Sequence, residues 1–225
     1  MTRTKKSKSP AAAARPLFSK LKSPARHPVR GAFLCPMLPN WHDLTYLQRG
    51  SAPQRRAFDL LQRHELLPRL AAYAPVLVGT FPLDLTVPGS DLDIICEVLD
   101  VAAFWQTLAG FAVYPAYELW QASTTEPAIV ASFEIDGLPV EVFGQALPTA
   151  CQNGYRHLVV EARLLAVGGA ALRQRVLTLK ASGVKTEPAF AQVLRLPGNP
   201  YHALLALEDC NDAALTTLIA EAART

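Results

Sequence analysis

The chain has 225 residues, half of them hydrophobic, and a formal net charge of +3. That length accommodates one substantial core, alone or with a small second lobe. No apolar run approaches the roughly 18–20 residues of a membrane span, and Cys35, Cys96, Cys151 and Cys210 are too scattered for a zinc site or a disulfide scaffold. The pattern therefore predicts a soluble globular protein of the reducing cytoplasm with no membrane partner.

The net charge averages two unlike segments. Residues 1–36 carry nine Lys or Arg and no Asp or Glu, leaving 13 basic residues against all 19 acidic ones in 37–225, a formal charge of −6. The first segment is rich in Ser, Pro and Ala and has no apolar period, so residues 1–38 are expected to form a disordered basic extension. Clustered cations of this kind bind phosphates by displacing counterions, which makes the extension the one expected contact for nucleic acid. Two plainer expectations stand beside that one: a dispensable extension, or a true start near Met37. No apolar segment of export-signal length follows the basic stretch.

Periodicity begins after Trp41. Residues 52–73 place Ala57, Leu60, Leu61 and Leu67 on a helical stripe that Pro68 is expected to bend or divide. PVLVGT (75–80) reads as a short buried strand ending at Gly79, and DLDIICEV (91–98) as a second, entered through the turn residues Pro88, Gly89 and Ser90. DVAAFWQTLAGF (100–111) begins with an Asp cap and predicts a helix over the sheet, with Trp105 and Trp120 as core or sheet-packing residues. Strands are expected near 112–121 and at 128–135, where Asp136-Gly137 supplies a hairpin turn into LPVEVFGQ. After residue 150 the segments ACQNGYRHLVVEARLLAV, ALRQRVLTLKASG, EPAFAQVLRL, PYHALLALE and AALTTLIAEAA read as helices. The expected class is α+β: a mixed, mostly antiparallel sheet flanked by helices over residues 39–148, followed by a helical C-terminal region, 149–225, packed on it.

The charge within 91–98 carries the chemistry. Side chains two apart on a strand share a face, so Asp91 and Asp93 point together while Leu92 and Ile94 face the core. Paired carboxylates repel unless a cation lies between them, and this pair asks for Mg²⁺. Glu141, between Val140 and Val142, is the third acid in reach, with Glu134 on the partner strand a competitor and Asp84 a lesser one. Gly79 lets a backbone approach a triphosphate, and the Thr80 hydroxyl offers a hydrogen bond. The acid pair by itself also fits a solvated strand edge or a sugar-nucleotide glycosyltransferase.

A hydrophobic residue with Gly79-Thr80, ten residues, Asp91-Leu92-Asp93-Ile94 and a later hydrophobic-Glu-hydrophobic strand resemble the signature of the DNA polymerase beta-like nucleotidyltransferase superfamily. Thr80 stands where that superfamily usually has Ser. WHDLTYLQRGS, the 77–98 stretch, LPVEVFGQ, NGYRHLVVEARLL, VKTEPAFAQVL and GNPYHALLALE are similar to blocks of a bacterial family labelled domain of unknown function 4269. The resemblance implies a Mg²⁺-dependent transfer of a nucleoside monophosphate from an NTP to a hydroxyl acceptor, either a small molecule, an RNA end or a protein, with release of pyrophosphate. It assigns Asp91, Asp93 and Glu141 as catalytic metal ligands, and Gly79 and Thr80, with Ser90, to the phosphates. A non-catalytic nucleotide- or partner-binding module of the same fold is the alternative.

On the helix NGYRHLVVEARLL, Tyr155, Leu158, Val159, Ala162 and Leu165 form the expected buried stripe, leaving Arg156, His157 and Arg163 elsewhere. Arg156 and Lys185 are the candidates to neutralise a triphosphate, against surface pairing as the plainer role. His157 is the weaker candidate for a general base, since a lone histidine is more often structural.

Overall fold

The computed structural model describes residues 38–122 and 127–224. The expected basic extension therefore lies, except for residue 38, outside the described residues. The element order is α1 (Thr45–Gln48), α2 (Ala52–Arg63), α3 (Leu66–Arg69), β1 (Val76–Val78), α4 (Thr80–Leu83), β2 (Leu92–Glu97), α5 (Val101–Ala109), β3 (Glu118–Ala122), β4 (Ala128–Ile135), β5 (Leu138–Gln145), α6 (Asn153–Ala181), α7 (Thr186–Leu194), α8 (Pro200–Leu205) and α9 (Asp212–Ala223). The class is α+β, with a helical C-terminal part.

Among the described residues five strands form one sheet in the order β1-β2-β5-β4-β3. Only the β2–β5 pair is parallel; β1–β2, β5–β4 and β4–β3 are antiparallel. The β4–β5 hairpin turns at Asp136 (φ 50°) and Gly137 (φ 72°), two successive left-handed residues of the kind that match strand twist in a two-residue loop. Strand alternation sends Leu77, Leu92, Ile94, Val140 and Val142 into a core with α2, α3 and α5. Val78, Ile95 and Phe143 project to the other side, against α6 to α9.

The expected helix over 52–73 is broken at Glu65 (φ 50°) rather than at Pro68, which sits inside α3. The left-handed residue rephases the apolar stripe, so fully buried Leu66 takes the place expected for Leu67. Each such leucine contributes roughly 1.5–3 kcal/mol by leaving water. The strand expected near 112–121 narrows to β3, because the chain makes turns after α5. Trp105 and Trp120, expected as core or sheet-packing residues, are each 38% exposed and so are not in the core; Trp120 lies on β3, an edge strand of the sheet.

Helix α6 is interrupted at Gly169 (φ 60°), which separates the two helices expected on either side of it. Its first half is buried more widely than one stripe: His157, Val160, Glu161 and Leu164 join Leu158, Ala162 and Leu165, because the sheet packs on one side and α7 to α9 on others. His157, expected off the buried stripe, is thus 6% exposed. Among the described residues no helix is long and apolar enough to cross a membrane.

Two sets of hydrogen bonds from distant helices, one buried and one half-buried, fix the 80–84 turn. Gln54 closes a capping box with Ser51, and its Nε2 donates to the carbonyls of Phe81 (2.8 Å) and Pro82 (3.3 Å). Arg173, in the second half of α6, donates to the carbonyls of Leu83 (2.5 Å) and Asp84 (2.9 Å). Replacing Gln54 by Ala removes the side-chain half of the capping box and the Nε2 donor to the Phe81 and Pro82 carbonyls, with an expected loss of about 2 kcal/mol in urea denaturation. An unchanged midpoint would show that these bonds contribute nothing to the turn.

Candidate active site

Asp93 is the second residue of β2, and its Cα pairs with Val78 of β1 on one side and Glu141 of β5 on the other. In-register neighbours on parallel strands project to the same face, so the Asp93 and Glu141 carboxyls stand side by side. Asp91, two residues before Asp93, shares that face. It is close enough that its charge raises the proton affinity of both.

Gly79 completes the floor. Its backbone (φ 73°, ψ −144°) is one that L side chains avoid, and a Cβ there would lie 2.1 Å from Asp93 Oδ2. The Asp93 carboxyl therefore packs directly over the Cα of Gly79. Thr80 opens α4 at the same corner; its buried Oγ1 has no hydrogen-bond partner among the described residues.

These groups line one cleft of about 1340 Å³ between the sheet and the helices α6 and α7. Gly79, Thr80, Ser90, Asp91, Asp93, Glu141, Arg156 and Lys185, the residues singled out in the sequence, all border it. Ser90 Oγ accepts from the Val87 amide at 2.9 Å and so shapes the turn that delivers Asp91. Arg156 is engaged by Glu208 through Nε (3.0 Å) and Nη2 (2.6 Å) to Oε2. Lys185 caps α7 and favours the ionised form of Glu141. Glu134 is exposed opposite Pro139, and Asp84 ends α4; neither borders the cleft.

The opposite wall holds residues that the sequence reading passed over: Glu161 and Lys180 on α6 and Glu187 in the first turn of α7. His157 and Glu161 are four apart, one turn on the same helix face. That spacing was the available signal, obscured because a Glu in a helix reads as solvent-facing. Lys180 Nζ donates to Thr186 Oγ1 at 2.7 Å.

Electrostatics in the cleft are dominated by burial and crowded acids. Desolvation, then the charges of Asp91, Glu141 and Glu187, push Asp93 up to about 8, against the opposing pull of Lys180. Glu141 is raised by burial and then by Asp91. Glu161, fully enclosed, is raised well above the ordinary carboxylate range by burial and then by Glu187. Burial lowers Lys180, while Glu161, Glu187, Asp91 and Asp93 counteract.

The family described as Domain of unknown function (DUF4269) matches residues 59–207. No curated protein matches by sequence. Among solved structures, the polymerase core of TRAMP, an RNA surveillance complex, is similar at 16% identity and a TM-score of 0.43, covering 80% of this chain and 60% of that one. A cytoplasmic RNA terminal U-transferase is similar at 15% identity and 0.47, over 80% and 71%. The GLD-2/RNP-8 complex is similar at 11% identity and 0.48, over 78% and 80%. This chain therefore spans 60% of the length of the first of these structures.

Two outcomes follow from the Gly79–Asp93 contact. Gly79→Ala is expected to cost about 1–3 kcal/mol, and Asp93→Ala in the same chain should return part of that loss in a double-mutant cycle, whereas strict additivity would place the strain elsewhere. In chelator, the raised Asp93 favours the folded state most below its unfolded value near 3.8, and this contribution fades as pH climbs through about 8. The melting temperature of Asp93→Asn should therefore gain on the wild type across that interval; parallel pH profiles would refute the assignment.

Proposed function

This chain belongs to the family described as Domain of unknown function (DUF4269), and we propose that it is a Mg²⁺-dependent nucleotidyltransferase. It would move a nucleoside monophosphate from an NTP to a hydroxyl acceptor and release pyrophosphate. The observation that carries the reading is the in-register Asp93–Glu141 pair, joined by Asp91 and packed on a glycine that leaves no Cβ in the way.

The donor set fits the cation. Asp91, Asp93 and Glu141 offer only hard carboxylate oxygens; Asp93 is raised by burial first and then by the charges of Asp91 and Glu141, and a divalent ion would offset both. When bound there, Mg²⁺ would supply charge neutralisation for the phosphoryl oxygens of the substrate.

The chain's own groups account for the rest. Gly79 allows the backbone to approach the phosphates, and the unpartnered Thr80 hydroxyl is a donor available to them. Lys185 and Lys180 provide positive charge on the other wall. Glu141, with its proton affinity raised by burial and Asp91, takes the proton of the acceptor hydroxyl. The acceptor oxygen bonds to the α-phosphorus as its bond to the bridging oxygen breaks, and pyrophosphate leaves with that electron pair. Alignment and charge placement carry such a reaction, with little covalent chemistry from protein groups.

The test is incubation with each α-labelled NTP, Mg²⁺ and cell extract, reading labelled product and pyrophosphate. Asp91→Asn, Asp93→Asn and Glu141→Gln should each lose at least ~100-fold of turnover with unchanged circular dichroism. Full activity in Asp91→Asn would overturn the reading, and NTP binding without pyrophosphate release would identify a non-catalytic binding module instead.

A further inference from the structure

The wall facing the acid triad has a donor cluster of its own. His157 and Glu161 lie one turn apart on α6, and Glu187 comes from the first turn of α7. One ligand atom from each lies within 4.8 Å of the others. Glu161 is 3% exposed and His157 6%, yet Glu161 Oε1 and His157 Nδ1 have no hydrogen-bond partner among the described residues. A buried carboxyl group left unpaired is costly, and here it lies beside the half-buried Glu187 and a buried imidazole whose Nδ1 is also unpaired.

The internal cation nearest these groups does not resolve the cost. Lys180 gives its Nζ to Thr186 Oγ1, and among the described residues it makes no ion pair with Glu161 or Glu187. Around the whole cleft, Asp91, Asp93, Glu141, Glu161 and Glu187 face Lys180 and Lys185, while Arg156 is already held by Glu208. A divalent ion on the acid triad would still leave Glu161 Oε1 and His157 Nδ1 without a partner among the described residues.

We propose that His157, Glu161 and Glu187 form a second cation site, separate from the acid triad, that takes a divalent ion of the Zn²⁺ type. The donor set selects the ion: one imidazole nitrogen with two carboxylates suits Zn²⁺, whereas Mg²⁺ is best served by oxygen alone. Three protein ligands also leave the fourth tetrahedral position free, as in zinc sites that bind a water or a substrate group. Because all three residues border the cleft, that position opens onto the space the triad also lines. The inference stands on the orphaned donors and is independent of nucleotidyl transfer, so either can fail alone.

The full chain, stripped with chelator and dialysed, is titrated with Zn²⁺, and with Co²⁺ as a spectroscopic substitute. One ion held by His157, Glu161 and Glu187 is expected besides any bound at the acid triad, with visible Co²⁺ bands of tetrahedral nitrogen and oxygen ligation and a raised melting temperature. Both should persist in Asp91→Asn and Asp93→Asn. Glu161→Gln, which preserves shape, should weaken binding at least ~100-fold, and so should His157→Ala. Glu187→Gln, at the more accessible ligand, gives the same readout if a variant of the buried pair does not fold. Absence of stoichiometric Zn²⁺ binding in the wild type would overturn the proposal, as would binding that survives Glu161→Gln and Glu187→Gln, or binding lost only with the Asp91 and Asp93 variants.

Discussion

The contact between the Asp93 carboxyl and the Cα of Gly79 is the constraint from which the cleft is built. Asp93 lies between two strands, so its side chain has no lateral freedom; only the missing Cβ at Gly79 gives it room. The left-handed backbone at Gly79 then ends β1 at once and starts α4 in a new direction. A turn that sharp must be held, and the bonds from Gln54 and Arg173 hold it from two helices far apart in sequence. Stability generated in both cores is thereby used to keep an acid where burial and neighbouring charge both disfavour its ionised form.

The two cores have different tasks. The side covered by α2, α3 and α5 is uninterrupted apolar packing, with Phe104, Phe111 and Phe133 among its largest fully buried side chains. On the other side the apolar contacts stop short of Asp93 and Glu141, and α6 and α7 close over Val78, Ile95 and Phe143 instead. The interruption at Gly169 redirects α6 so that one helix contributes His157 and Glu161 from its first half and Lys180 from its second. Gln152, whose Nε2 donates to the carbonyls of Cys96 and Leu147 at 2.8 Å each, moors the start of that helix to the end of β2.

What the sequence disclosed was local. The period of two in β2 and β5 fixed which face each acid takes, and the Asp136-Gly137 pair announced its turn, because both depend on neighbouring residues alone. The opposing wall depends on tertiary packing. A Glu at 161 reads as solvent-facing until α7 and the sheet are known to bury that side, and Lys180 reads as the charged end of a helix until it is found under Thr186. The shift from Leu67 to Leu66 has a similar origin: one left-handed residue at Glu65 altered the phase that the periodic pattern assumed to be continuous.

The charge distribution across the cleft constrains any ligand that enters it. Carboxylates on the sheet wall repel an anion, and Lys180 on the helix wall is drawn on by Glu161, Glu187, Asp91 and Asp93. If the proposed function holds, a nucleoside triphosphate would enter in company with cations, and the acids would bind it through those cations rather than directly. On the proposed reading, this makes the protein's half of the site incomplete by construction: it recognises a metal–phosphate assembly, and a bare phosphate meets net repulsion. The acids on the α6–α7 side extend the same logic to a second ion, which would give both walls of the cleft a positive centre beside Lys180 and Lys185.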